Sequence, residues 1–233
     1  MTAQPVLSVC DLTVELRGEH GARNIISDVG FELYPRQILG IIGASGSGKT
    51  VLSRALVNWI DPPLRIAKGV VAYKSRNILD LPAGKLRRMR REIAYVGANP
   101  MGALDPTLPV GNQIVEKVRA LVPDMDAGEA RKRVIELLGA VHIPSPAARF
   151  HEYPSQFSGG MMQRALIVDA LATNPAFLVA DNVTQPLDVT VAAQVMRLVR
   201  ELTERFDTAG GFLVFSPPPG SEGAPPKPGG FGR

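Results

Sequence analysis

The sequence predicts an α/β domain built on a parallel sheet, and three observations carry that prediction. Apolar stretches of strand length alternate with stretches of helical periodicity along most of the chain, the order that lays helices over the faces of a parallel sheet. One short apolar run, Ile38 to Ile42, leads through a glycine-rich turn directly into a helical segment. A second run, Ala176 to Ala180, ends on a carboxylate, Asp181. With 45% hydrophobic residues among 233, the chain can fill one sizeable core.

The elements follow in order. Apolar residues at Val6, Val9, Leu12, Val14 and Leu16 mark an early strand, and Val29 to Leu33 a second that Pro35 closes, so the N-terminal part is β-rich. Ile38 to Ile42 has the pattern of a strand buried on both faces. Lys49 to Trp59 is expected to be helical, as is Val110 to Val141 with a break near Pro123. Pro144, Pro146 and Pro154 predict a loop before a helix from Gly159 to Ala172. Ala176 to Ala180 is a buried strand, Thr190 to Phe206 a helix, and Phe212 to Phe215 a last strand. From Pro217 the composition turns to Pro, Gly, Ser and Lys, with Phe231 the one bulky apolar residue, so residues 217–233 are expected to form a disordered tail. The folded domain is expected over residues 1–216, with a helical subdomain at about 100–172.

Composition narrows the function classes. Charged residues make up 21% and the formal net charge is +4, a balance that suits phosphate handling without requiring it. The Lys and Arg residues are spread out and lack interleaved aromatics, so no nucleic-acid partner is expected. Cys10 is the single cysteine, which rules out an internal disulfide and points to a reducing compartment. No run reaches the ~18 consecutive apolar residues needed to cross a bilayer, and Met1 to Cys10 lacks the form of a signal peptide. A role at a membrane would therefore require docking onto an embedded partner.

The turn after Ile42 carries the chemistry. Gly43-Ala44-Ser45-Gly46-Ser47-Gly48-Lys49-Thr50 matches GxxxxGK[ST] in full and lies between a strand and a helix, where the phosphate-binding P-loop must lie. Gly43, Gly46 and Gly48 let the backbone wrap with Ser45 and Ser47 so that N–H groups face phosphate oxygens. Lys49 supplies an ammonium for the β- and γ-phosphates and Thr50 a hydroxyl for Mg²⁺. The expected ligands are ATP and Mg²⁺. A Gly/Ser turn that happens to precede a lysine is the bland alternative, and the flanking strand and helix argue against it.

Further along, Phe157-Ser158-Gly159-Gly160-Met161 followed by Gln163-Arg164 resembles the signature motif of ABC-type ATPases, with Phe in place of the usual Leu. The bland alternative is an N-cap serine with loop glycines before a helix. The resemblance implies a P-loop NTPase fold of the ABC nucleotide-binding type. It further implies that Ser158, Gly159 and Gly160 contact ATP held on a facing subunit. Asn99-Pro100-Met101-Gly102-Ala103-Leu104-Asp105-Pro106, Tyr153 to Gln156 and Leu187 to Val191 resemble segments of the dipeptide, oligopeptide and nickel importer branch. In that branch a pair of ATPase subunits drives two transmembrane permeases fed by an external solute-binding protein. The implied place is peripheral, on the cytoplasmic face of the cell membrane, with a second ABC ATPase subunit forming a heterodimer.

The resemblance breaks where the γ-phosphate is handled. Ala176 to Asp181 fits the Walker B strand, whose Asp181 would hold Mg²⁺. The next position, usually the glutamate that polarises water, is Asn182. An amide accepts no proton at neutral pH, and such a base is worth roughly 10²–10⁴ in rate. The usual γ-phosphate-sensing glutamine falls at Ala98 and the usual histidine at Pro217. Lys49, Asp181 and Asn182 are thus the candidate catalytic positions of a site that binds ATP but hydrolyses it weakly. A frame-shifted or truncated gene would give the same tail, but not Ala98 or Asn182. Asp188 resembles the D-loop aspartate, behind an unusual Gln185-Pro186, and no aromatic near Leu16 and Arg17 offers itself to adenine. His20, His142 and His151 show no ligand spacing, and the basic run Lys85 to Arg91 reads as a solvated helix face. A non-transport ABC-type ATPase or nucleotide-dependent regulator is the alternative, as is a gene remnant. Importer substrates are chosen by other subunits and cannot be read here.

Overall fold

The computed structural model describes residues 4–18, 21–89, 91–97, 102–181 and 212–216. Several expectations lie outside the described residues: those on His20, Ala98, Asn99 to Met101, Asn182, Gln185 to Asp188, the helix at 190–206, Pro217 and the tail. In chain order the described elements begin with β1 (Leu7–Gly18), β2 (Gly21–Leu33), β3 (Ile38–Ile42), α1 (Lys49–Ala55), β4 (Leu64–Tyr73), β5 (Arg76–Asn77), α2 (Ala83–Met89) and β6 (Ile93–Val96). They continue with α3 (Val110–Leu121), α4 (Ala127–Ala140), α5 (Pro146–Arg149), a 3₁₀ turn (Pro154–Gln156), α6 (Gly159–Leu171), β7 (Phe177–Asp181) and β8 (Phe212–Ser216).

Two four-stranded sheets result. The first is antiparallel, in the order β2-β1-β4-β5, and the second is parallel, in the order β3-β8-β7-β6. The antiparallel sheet is larger than the sequence predicted, because β2 begins at Gly21 and β4 was not foreseen at all. Most residues of Gly21 to Asp28 are exposed, and its two bulky apolar residues, Ile25 and Ile26, are adjacent, so that stretch carries no alternating apolar signal. In β4 the signal is interrupted at Gly69, opposite an irregularity in β1 between Cys10 and Thr13. A Cβ on Gly69 would sit 2.5 Å from Leu12 Cα and 2.7 Å from the Asp11 carbonyl oxygen, with φ at +109°. Only glycine fits there.

In the parallel sheet β7 is buried at all five positions, as expected of a strand covered on both faces. β3 corrects its prediction: its residues are half-buried or exposed, and Ile42 is 61% exposed. Among the described strands it stands at the sheet edge, with β8 its one hydrogen-bonded neighbour. The helix predicted to reach Trp59 ends at Ala55, because Asn58 takes a left-handed conformation (φ 50°) and Trp59 N–H returns to the Arg54 carbonyl at 2.9 Å.

Two cores flank the parallel sheet. Phe177 and Val179 of β7 pack with the antiparallel sheet and Leu52, Ala55 and Leu56. Leu178 and Ala180 point the other way, into Val110, Ile114 and Val118 of α3, Val134, Leu137 and Leu138 of α4, and Met162, Ala165 and Leu166 of α6. The predicted break near Pro123 separates α3 from α4. Asp126 restarts the chain with a capping box, accepting from Glu129 N–H at 2.8 Å while its own N–H donates to Glu129 Oε2 at 3.1 Å. The proline-rich stretch holds two short helical turns where a loop was predicted. Lys85 and Arg88 on α2 are exposed, as the basic run implied, and His142 and His151 are also at the surface.

Candidate functional site

The glycine-rich loop joins β3 to α1 and is shaped by three glycines. Gly46 and Gly48 take positive φ, 77° and 91°, which other residues adopt at a cost. Gly43 has ordinary φ but no room, since a Cβ would lie 2.7 Å from Ser47 Oγ. Lys49 is 6% exposed and folds back over the loop, donating to the carbonyl oxygens of Gly43 at 2.5 Å and Ala44 at 2.8 Å. Burial pulls its ammonium below the ordinary lysine range, and the charge of Asp181 opposes that shift. Thr50 follows in the first turn of α1, and its carbonyl accepts from the buried Ser53 hydroxyl at 2.9 Å.

Asp181 ends β7 and is fully buried. Its Oδ2 accepts from the Tyr95 hydroxyl at 3.2 Å. Its Oδ1 has no hydrogen-bond partner among the described residues, and neither does the buried Ser47 Oγ. A buried polar atom without a partner costs about 1–3 kcal/mol, so both atoms suit a polar ligand. The Asp181 carboxylate and the Ser47 and Thr50 hydroxyls are hard oxygen donors of the kind that suit Mg²⁺, while the Lys49 ammonium suits phosphate. The structure therefore brings together Gly43, Ser47, Lys49, Thr50 and Asp181. Asn182 lies outside the described residues.

Ser158, Gly159 and Gly160 form a separate surface. Ser158 is the N-cap of α6, its Oγ accepting from Met161 N–H at 3.3 Å. Both glycines have open space where a side chain would project, and Ser158 and Gly159 are exposed. No hydrogen bond among the described residues joins this turn to the Gly43–Thr50 loop. Phe157, where the motif usually has Leu, is buried against the α3–α4–α6 core, so the exchange conserves an apolar anchor. Arg164 donates to the carbonyls of Val141 at 3.5 Å and His142 at 3.3 Å, tying α6 to the end of α4. Gln163 is fully buried with neither amide atom partnered among the described residues.

Tyr95 is the site residue that the sequence did not reveal. Its strand, β6, is an apolar run of only four residues behind a basic helix, and it was not read as a strand. Burial, aided by the charge of Asp181, raises the pKa of the Tyr95 hydroxyl, with Ser53 and Arg54 opposing. The one faint signal was an aromatic two residues before Gly97, the spacing of neighbours on one strand face.

The model of the ABC transporter family matches residues 26–185. A Brucella abortus protein named for peptide import ATP binding is 44% identical over 201 residues, 86% of this chain and 60% of its own length. The dipeptide transport ATP-binding protein of Lactococcus lactis is 39% identical over 215 residues, covering 92% of this chain and 62% of the relative. The chain thus spans about three fifths of the length of these relatives. Among solved structures, a dimeric ATP-binding cassette in a post-hydrolysis state with ADP and Pi superimposes with TM-score 0.77 at 24% identity, over 90% of this chain and 87% of that one. The fold is that of an ATP-binding cassette.

Proposed function

Since the chain belongs to the ABC transporter family, we propose that it is the ATP-binding subunit of a peptide-type importer whose own site binds MgATP but turns it over slowly. One observation carries the binding reading. A buried ammonium (Lys49) folds onto a glycine-built loop and feels the charge of Asp181, while Ser47 Oγ and Asp181 Oδ1 are buried without hydrogen-bond partners among the described residues. In the free protein Lys49 spends its hydrogen bonds on loop carbonyls. With nucleotide it would exchange them for phosphate oxygens, a charge-assisted and stronger pairing. Gly43, Ser45, Gly46, Ser47, Gly48 and Thr50 complete the phosphate cradle, and Thr50 with Asp181 would hold Mg²⁺, which supplies charge neutralisation between the phosphates.

The slow-turnover half of the reading rests on chemical type. Asn182 replaces a water-activating carboxylate, and Ala98 and Pro217 replace two further γ-phosphate contacts. The exposed Ser158-Gly159-Gly160 turn is intact and offers its face to ATP on a second ATPase subunit. Such a chain holds one nucleotide as a clamp while completing the hydrolysing site of a different partner. The relatives' names, for peptide import and dipeptide transport, favour transport over a soluble regulator. The partners proposed with it are two permeases at the cytoplasmic face of the membrane and an external solute-binding protein upstream. No helix among the described residues is long and apolar enough to cross a membrane, so attachment would run through those permeases. We take residues 1–216 as the cassette, about 100–172 as its helical subdomain, and 217–233 as lying beyond it.

The test is ATP binding and turnover by the purified chain, alone and as Asn182→Glu. The wild type is expected to bind MgATP with little hydrolysis, and Asn182→Glu to raise turnover by about 10²-fold or more. Robust hydrolysis by the wild type alone would overturn the reading.

A further inference from the structure

Asp181 is held by more than its own strand. We infer that Tyr95 is a positioning residue that fixes the Asp181 carboxylate, committing Oδ2 to its hydroxyl so that Oδ1 alone faces the metal. This inference rests on the reading of Thr50 and Asp181 as the Mg²⁺ ligands.

The geometry supports it from three sides. First, the Tyr95 hydroxyl reaches across 86 residues of sequence to Asp181 Oδ2, while Oδ1 remains buried with no partner among the described residues. An sp² carboxylate with one oxygen tied to a directional donor loses its freedom to swing about the Cβ–Cγ bond. Second, the ring is itself wedged. Trp59 meets it edge-on at 5.7 Å between centroids, and Arg54 stacks over Trp59 at 5.8 Å. Arg54 lies on α1, the helix that begins at Lys49, so that helix braces the ring through Trp59. Third, the neighbour on the same strand face makes room. A Cβ at Gly97 would lie 3.3 Å from Tyr95 Cε1, tighter than ordinary contact. The ring position depends on that glycine.

A phenyl ring could fill the same space, so the hydroxyl is what distinguishes positioning from packing. The discriminating variant is Tyr95→Phe, which keeps the ring against Trp59 and removes only the bond to Asp181. The measurement is the affinity for a non-hydrolysable ATP analogue by titration calorimetry, once in EDTA and once in excess Mg²⁺. Binding in EDTA depends on the phosphate loop alone and is expected to change by less than about twofold. The gain in affinity on adding Mg²⁺ is expected to shrink about tenfold, the size of a lost hydrogen bond to a charged group. Gly97→Ala, which crowds the ring without removing the hydroxyl, should shrink the gain in the same direction by a smaller factor.

Equal weakening in EDTA and Mg²⁺ would assign Tyr95 to packing and overturn the inference, as would an undiminished Mg²⁺ gain. A Tyr95→Phe protein that fails to fold overturns it too, because the inference gives the hydroxyl no part in the core. Wild type that binds nucleotide but shows no Mg²⁺ gain would remove the metal-ligand reading beneath it. That outcome is told apart by appearing before any substitution is made.

Discussion

Replacing Lys49 with methionine separates what the lysine does for the fold from what it does for a ligand. In the free protein the substitution deletes two charge-assisted hydrogen bonds, to the carbonyls of Gly43 and Ala44, worth about 1.5–3 kcal/mol each. It also removes an ammonium that is only 6% exposed, relieving a desolvation penalty of several kcal/mol. Ala44 is exposed and Gly43 half-buried, so water can take up the freed carbonyls, and methionine fills the space of the aliphatic stem. The terms nearly cancel, and the stability of the free protein is expected to change by no more than about 1 kcal/mol. In the complex nothing cancels: phosphate oxygens lose their cation, and about 2–5 kcal/mol of affinity goes with it. pH gives a second reading. Because burial lowers the Lys49 pKa, the unfolded chain keeps a proton that the native site tends to release. The penalty is fully present below the native pKa, and stability rises as pH climbs from there toward the ordinary lysine value. Lys49→Met should lack that rise. Denaturant unfolding at about pH 7 and about pH 10, with nucleotide titrations alongside, reads both effects. A loss of more than about 2 kcal/mol in the free protein, or affinity kept within about threefold, would refute the reasoning.

Two further substitutions probe the helical layer. Gly111→Ala places a methyl 2.2–2.6 Å from three carbons of the buried Phe150 ring, and is expected to destabilise by about 1–3 kcal/mol or more; thermal melting should show part of that loss restored by adding Phe150→Leu, and a neutral Gly111→Ala would contradict the packing described. Asp126→Ala removes the capping box of α4 and should cost about 1 kcal/mol in denaturant unfolding, with Asp126→Asn retaining most of it.

Legibility in the sequence followed how locally each feature is determined. The Gly43–Thr50 loop and Ser158–Gly160 could be read because the chemistry fixes residue types at fixed spacing within eight positions or fewer. β7 could be read because covering both faces makes every residue apolar up to Asp181. The first half of β2 could not, since an exposed strand carries no pattern of its own, and β4 was obscured by Gly69, whose reason lies in Asp11 and Leu12 on a different strand. β3 misled for the opposite reason: Ile38 to Ile42 has the composition of a central strand yet stands at the edge among the described strands. Tyr95 was silent because its meaning depends on a carboxylate 86 residues away. Pairing across the sheet is a property of the fold, and no window of sequence contains it.

The placement of Asp181 also bears on the proposed separation of nucleotide binding from turnover. Phe177 and Val179 lock β7 to one core, Leu178 and Ala180 lock it to the other, and β6 and β8 pair with it on both edges. The carboxylate at its end is therefore delivered by packing spread over two cores, and no single exposed contact controls it. Lys49 is delivered by the helix that packs into one of those cores through Leu52 and Ala55. Affinity for the phosphates thus draws on the whole scaffold and survives changes elsewhere. In the function proposed above, activation of water draws on one functional group at the position after Asp181, where this sequence has Asn182, an amide that accepts no proton at neutral pH. A scaffold arranged in this way can lose hydrolysis by one substitution without loosening its hold on nucleotide, and by the same logic Asn182→Glu can restore turnover without tightening that hold.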